Sequence, residues 1–394
     1  MELSLGPGYE ELRSEVRAFL EANGEDAPNS AMGALDTTGE HRQWQGRLIE
    51  QGYAARTVPK EYGGFGAEVD PLETIVIEEE FRRARVAGAM ANQGISMFVP
   101  TLLQYGSEQQ KRLYVGPTIR GEMVWCQGYS EPGAGSDLAS LKTSAVVEGD
   151  EFVINGHKIW TSTAKEADMM FALVRTEPDA SKHAGISYLV LRMDSPGIEV
   201  KPLKMMLGAE GFNEVFLTDV RVPVENLIGE RGQGWEVGTT TLMHERNMLG
   251  ATAQTETMYA RMVDVLRDFD ALKSQQLRQR LAALQARVEA MKYNGLRLLT
   301  DRIRGRSSGV AGLVTKLNGC QLNHDICALA IDAMAERGLL DRGDNGARDG
   351  GLWQAQYMFS LGLIIGGGTA QIQKNIISER GLGMPREPKA GKSR

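Results

Sequence analysis

The apolar residues of this chain change their spacing twice, and that change limits the architectures open to it. From Tyr9 to about Gly121 they recur three or four apart, as on one face of a helix. Tyr9 to Ala22 and His41 to Gln51 read as helices, with Gly52-Tyr53 and Gly63-Gly64-Phe65-Gly66 as punctuation. From Trp125 to about Trp235 the period is two, and from about Glu236 to Arg380 it is helical again. Leu277, Leu281, Leu284, Val288, Met291 and Leu298 follow a near-heptad spacing, which predicts one long helix in a bundle. The expected architecture is α+β and multidomain: a helical domain over 1–124, an antiparallel, barrel-like β domain over 125–235 and a four-helix-bundle-like domain over 236–394.

Local signals sharpen the outer parts. Pro71 suits the first turn of a helix whose acidic start, Glu73 and Glu78 to Glu80, precedes Arg82, Arg83 and Arg85, the order that complements the helix dipole. Ser107 with Gln110 three residues later is a capping-box start for a short helix, Glu108 to Tyr114. The net charge of -7 lacks the basic footprint of a nucleic-acid or anionic-membrane surface. No run of 18 apolar residues and no leader pattern stands in the sequence, so a cytoplasmic protein is expected. Cys126, Cys320 and Cys327 show no metal-ligand spacing among five scattered histidines; buried thiols are expected, and no metal.

Chemistry concentrates between Trp125 and Ser162. The stretch opens with the loop WCQGYSEPGAGSD, where Ser130, Ser136 and Asp137 stand among Pro132, Gly133 and Gly135. Such a loop presents bare backbone N–H groups and small hydroxyls to something flat or anionic. Gly149-Asp150 and Asn155-Gly156 then read as two hairpin turns, making a β-meander that ends in Trp160, Thr161 and Ser162. Gly133-x-Gly135 is no dinucleotide fingerprint, because a hairpin and not a helix follows it. On composition alone Trp160 reads as a core anchor of the β domain.

With INGHKIWTS (154–162), GFNEVFLTDVRVP (211–223) and GGGTAQIQKNII (366–377), four separated motifs stand in order, and the chain resembles the acyl-CoA dehydrogenase family over nearly its whole length. The resemblance implies FAD held by the β domain and the C-terminal helices. It also implies removal of an α proton from an acyl-CoA thioester, with the β hydrogen passing as hydride to the flavin. Gln127, Tyr129 and Ser130 would then lie against the isoalloxazine, and Ser136 near the flavin phosphates and the pantetheine arm. Trp160 would pack on the ring with Thr161 and Ser162 beside it, and Thr369 and Gln371 would reach FAD from the C-terminal part.

Many members carry the base, a glutamate, just before Q-I-Q; here Gly366-Gly367-Gly368 stands instead, with Gly367 at the position of the carboxylate. Members resembling isovaleryl-CoA dehydrogenase place it before an arginine on a helix, which points to Glu245 as base and Arg246 as a residue that orients the region or touches substrate. Leu242, Glu245, Leu249 and Thr252 share that helical face. A turn stripped to glycine leaves room for a branched, cyclic or bulky acyl group, a steroid side chain among them. The R-x-x-F-G and Q-x-x-G-G-x-G segments of homotetrameric members are replaced by residues 301–306 and 336–341, so the resemblance implies a tetramer, homomeric or with a second dehydrogenase-like subunit. An electron-transfer flavoprotein is the implied acceptor. The competing readings are a non-catalytic paralogous subunit and a flavin monooxygenase or oxidase on the same fold.

Overall fold

The computed structural model of the chain describes residues 6–28, 38–248, 252–306 and 311–386. It divides into two compact units, Met1–Met205 with Ala209–His244, and Met206–Gly208 with Glu245–Arg394. In the first unit, helices α1 (Pro7–Asn23), α2 (Gly39–Glu50), α3 (Pro71–Ala84), α4 (Val99–Tyr105) and α5 (Glu108–Ile119) precede strands β1 (Trp125–Gly128), β2 (Ser144–Glu148), β3 (Glu151–Ser162), β4 (Met169–Arg175), β5 (Ile186–Arg192), β6 (Ile198–Leu203), β7 (Phe212–Pro223) and β8 (Leu227–Ile228). Asp70 caps α3 by accepting the N–H groups of Leu72 and Glu73, ahead of Pro71. Ser107 and Gln110 form the expected capping box of α5, but the helix runs past Tyr114 and through Pro117 to Ile119. Burial of Val115, Thr118 and Ile119 outweighs what Pro117 takes from the helix.

A buried carboxylate ties α3 to α1. Glu80, 1% exposed, meets Arg13 at 2.7 Å, Arg17 at 2.8 Å and Arg83 at 2.7 Å. The guanidinium bonds, that of Arg17 foremost, hold its carboxyl down at about 2, against the opposing pull of burial.

The sheet runs β6-β7-β3-β2-β4-β5-β8, with β1 attached to β4. It departs from expectation in two ways. It is mixed and not purely antiparallel, because β1 lies parallel to β4, pairing Trp125 with Met169 through Gly128 with Ala172. And Asn155-Gly156 is no turn: β3 continues through it as one twelve-residue strand against β7, with a register irregularity between Ile154 and Gly156. The asparagine prefers its cross-strand partner to a turn. Its side-chain N–H donates to Asp219 Oδ1 (2.9 Å) while its Oδ1 accepts the Asp219 N–H (3.0 Å), and Asp219 sits at φ +49°. A Cβ on Gly156 would come within 2.6 Å of the Thr143 side chain, so the glycine serves a close approach on β2's side. Of the two expected turns, Gly149-Asp150 is the one that makes a hairpin, between β2 and β3.

Phe98, Trp125, Phe171 and Tyr188 form a run of ring contacts in the core shared by the helices and β strands of this unit. On the other side of the strands, Cys126, Phe152, Ile154, Met170, Leu189, Val215 and Val220 make a second apolar cluster.

α6 (Gly234–Met248) begins in the first unit, and its last residues from Glu245 belong to the second. The second unit continues with α7 (Thr252–Asp268), α8 (Gln275–Ile303), α9 (Ala311–Ala333), α10 (Leu352–Ile365) and α11 (Ala370–Ile376). The near-heptad residues Leu284, Val288 and Met291 of α8 are buried with Leu322, Ile326 and Trp353. All three cysteines are buried and unbridged. Among the described residues no helix is long and apolar enough to cross a membrane.

Candidate active site

In the first unit the sequence loop folds against β3. Gln127 stands on β1 opposite Phe171 and is half-buried. The Tyr129 ring is 4% exposed and lies edge-on to Phe171 and Tyr188, so that residue is core. Packed edge-on against two other rings, its side chain serves the core, and its main chain runs on into the glycine loop. Ser130 is half-buried and its carbonyl accepts the Ile159 N–H at 2.9 Å. Glu131 and Ala134 exchange N–H···O bonds of 3.0 Å, closing the Pro132-Gly133 turn. Ser136 is exposed, and next to it Asp137 holds Lys182 at 2.6 Å.

Two charged residues inside these motifs went unassigned in the sequence reading, yet they organise the loop. Lys158 is fully buried, and its Nζ donates to Glu131 Oε1 (2.9 Å), to the Leu173 carbonyl (2.7 Å) and to the Tyr129 carbonyl (3.3 Å). Glu131 also accepts the N–H groups of Lys142 (2.6 Å) and Thr143 (2.9 Å). Burial pushes the Lys158 ammonium down to about 8, with Glu131 opposing the shift. Burial likewise works against the Glu131 carboxylate, but Lys158 and the donated N–H bonds outweigh it and leave the carboxyl below its ordinary value. A signal existed: Lys158 shares the alternation of Phe152 and Ile154, which face inward, so the pleat itself puts its ammonium in the core.

Two residues further along, β3 bulges between Lys158 and Thr161. Trp160 sits in the bulge at φ +62°, a left-handed conformation rare for a bulky residue, and its side chain is 59% exposed. Its ring contact is edge-on to Phe212 at 6.0 Å. The core-anchor reading is thereby excluded. Thr161, by contrast, is fully buried, and its Oγ1 has no hydrogen-bond partner. Asn213 of β7 donates from its side chain to the Thr161 carbonyl at 3.0 Å, bridging the bulge; it was another unassigned residue. Ser162 is half-buried. The Ile159–Ser130 bond thus brings Ser130 to the stretch of Trp160, Thr161 and Ser162, while Gln127 stands three residues earlier, on β1.

In the second unit Glu245 is half-buried in the last turn of α6, and it is not without an interaction partner. Of the face expected from the sequence, Leu242 and Glu245 stand on α6 and Thr252 opens α7, while the Arg246 side chain and Leu249 lie outside the described residues. His244, directly before Glu245, is held below its ordinary pKa by burial. Thr369 is half-buried and caps α11 by accepting the Ile372 N–H at 3.2 Å, and Gln371 is exposed. The buried glutamine of Q-I-Q is Gln373, which donates to the Gly367 carbonyl at 3.0 Å. Lys316 of α9, also buried, donates to the carbonyls of Gly368 (2.6 Å) and Ile364 (3.2 Å). The glycine turn, with Gly367 at φ +63° and Gly368 at φ +97°, is pinned by both side chains.

Sequence profiles of the acyl-CoA dehydrogenase N-terminal, middle and C-terminal domains match residues 7–122, 126–220 and 232–382 in that order. The chain belongs to the acyl-CoA dehydrogenase family, whose members are flavin-dependent oxidoreductases. It is 36% identical to acyl-CoA dehydrogenase IpdE1 of Mycobacterium tuberculosis, over 96% of this chain and 99% of that protein. Acyl-CoA dehydrogenase FadE26 of the same organism is 31% identical, over 98% and 99%. Among solved structures, the Tcur3481-Tcur3483 steroid ACAD superposes with a TM-score of 0.82 at 31% identity, covering 98% of this chain and 100% of that one. The ChsE4-ChsE5 complex from Mycobacterium tuberculosis gives 0.80 at 30% identity, with 98% and 100% covered.

Proposed function

We propose that the chain is an FAD-dependent acyl-CoA dehydrogenase that introduces an α,β double bond into a bulky acyl-CoA thioester, with a steroid side chain as the favoured acyl group. The observation that carries the reading is Trp160: an indole left exposed on a strained backbone, at the bulge beside a glycine loop. Strain of that kind persists where the surroundings impose it, which is the rule at ligand sites.

Two further features fit FAD. The Thr161 hydroxyl is buried without a partner, and a Cβ on Gly133 or Gly135 would meet nothing within 4 Å, so the chain's own packing does not require glycine there. A ligand approaching the bare backbone does. Gln127, Ser130, Trp160, Thr161 and Ser162 would hold the isoalloxazine and Ser136 the phosphates and the pantetheine arm, and Thr369 and Gln371 are assigned to FAD on the family resemblance. Tyr129 would serve through its main chain. Bound FAD supplies the acceptor for the hydride that leaves the β carbon.

Glu245 removes the α proton at its carboxylate, with Arg246 orienting the region. With no side chain at Gly367, the turn leaves space that other members fill with a carboxylate. The steroid reading rests on the likeness to the Tcur3481-Tcur3483 steroid ACAD. Assembly with a second, dehydrogenase-like subunit, and an electron-transfer flavoprotein as acceptor, complete the proposal.

The test is flavin reduction without oxygen by a panel of straight-chain and sterol-derived acyl-CoA thioesters. We expect faster reduction by the bulky thioesters. Glu245→Gln keeps size and polarity but cannot take a proton, and should retain FAD while slowing reduction by about 10²- to 10⁴-fold, the range of general base catalysis. Reduction at the wild-type rate would remove Glu245 from the mechanism.

A further inference from the structure

The ion pair between Glu131 and Lys158 is enclosed entirely within the first unit, and the chemistry above makes no use of it. Stability alone does not account for it, because an apolar pair of similar volume commonly serves a core as well or better. What an apolar pair could not do is bind main-chain groups. Lys158 takes the carbonyls of Tyr129 and Leu173, and Glu131 takes the N–H groups of Lys142 and Thr143. These four backbone groups are the two ends of the glycine loop and the neighbouring strand β4. The loop is therefore shut at 129–131 and at 142–143 by one pair of side chains, anchored two residues before Trp160. The Ile159–Ser130 bond adds a third tie at the same place.

We propose that Glu131 and Lys158 are positioning residues that keep the loop over residues 129–143 in its binding shape before FAD arrives. The inference rests on the flavin reading given above. A loop already ordered pays no ordering cost on binding, so the pair converts a glycine-rich segment, otherwise free to sample many shapes, into a preformed cradle.

Amide hydrogen exchange on the wild-type chain stripped of FAD tests this without any substitution. The N–H groups of Lys142 and Thr143 should exchange as slowly as those of β3, and adding FAD should leave them unchanged. Fast exchange in the stripped chain that slows only with FAD would overturn the proposal. As a second arm, Lys158→Met and Glu131→Gln are titrated with FAD by flavin fluorescence. Variants that keep the wild-type circular dichroism should bind FAD more weakly by about 10- to 100-fold, the loss seen for outer-shell partners of ligand groups at metal sites. The absorption band of the bound flavin should also shift. A folded Lys158→Met chain with the wild-type Kd and flavin spectrum sinks the idea. If both variants fail to fold, the exchange pattern decides. Absence of FAD binding by the wild-type chain in any assembly counts against the proposed function, and the exchange pattern still judges the pair by itself.

Discussion

At Trp160, backbone strain and exposure combine in one residue, and their costs can be separated by substitution. Trp160→Gly removes the left-handed penalty and loses little packing, at the entropic cost of a new glycine, so the folding free energy should stay within about 1 kcal/mol of wild type. FAD binding should weaken in the same variant, and calorimetric melting with and without FAD reads both effects. Glu80 behaves in the opposite way, as a residue whose value is structural. Its folded pKa of about 2 lies below the ordinary carboxylate value, so its stabilisation is complete above that value and is lost as the pH falls toward 2. Glu80→Gln should lower the neutral-pH plateau by about 1–2 kcal/mol, since the half-exposed Arg17 and Arg83 are screened by solvent, and should flatten the acid limb of an unfolding titration. The identity of Trp160 as a special residue was legible only through its motif, because no rule of composition predicts a positive φ for tryptophan. Lys158 was legible in principle from strand alternation, but a lysine in a strand is ordinarily read as solvated.

Strand β3 shows where local signals and tertiary context part. Asn155-Gly156 carries the strongest short-range hairpin signal in the chain, and the structure spends it on a bulge because Asp219 across the ladder offers the asparagine two hydrogen bonds. Gly156→Ala would drive a methyl group into the Thr143 side chain and should destabilise the β2–β3 hairpin by about 1–3 kcal/mol, measurable as a lower urea midpoint. The helices were read more easily. The α3 and α5 starts rest on caps that involve neighbours three residues away, and α8 on a spacing repeated over about six turns. The parallel pairing of β1 with β4 was out of reach, since partners 44 residues apart leave no mark on either strand's own pattern.

For the whole molecule, the change of period along the chain gave the order of helical, β and helical parts, because each period is imposed by the element's own geometry. It could not show the apolar side chains that α10 leaves uncovered, among them Leu361 and Ile365, one turn apart and exposed. A helix apolar on nearly every side wants a partner surface. Sedimentation should give a mass well above the 43.1 kDa of one chain, at least when the proposed second subunit is coexpressed, and Ile365→Asp should shift it downward. The sheet order also has a bearing on synthesis. The strand that bears Trp160 has β2 on one side from the start but finds its second neighbour in residues 212–223, and β5 finds β8 later still, at 227–228. A ribosome that has released only the first 200 residues therefore holds a nascent chain with that edge open, and the bulge that carries Trp160 cannot close until the far strand emerges.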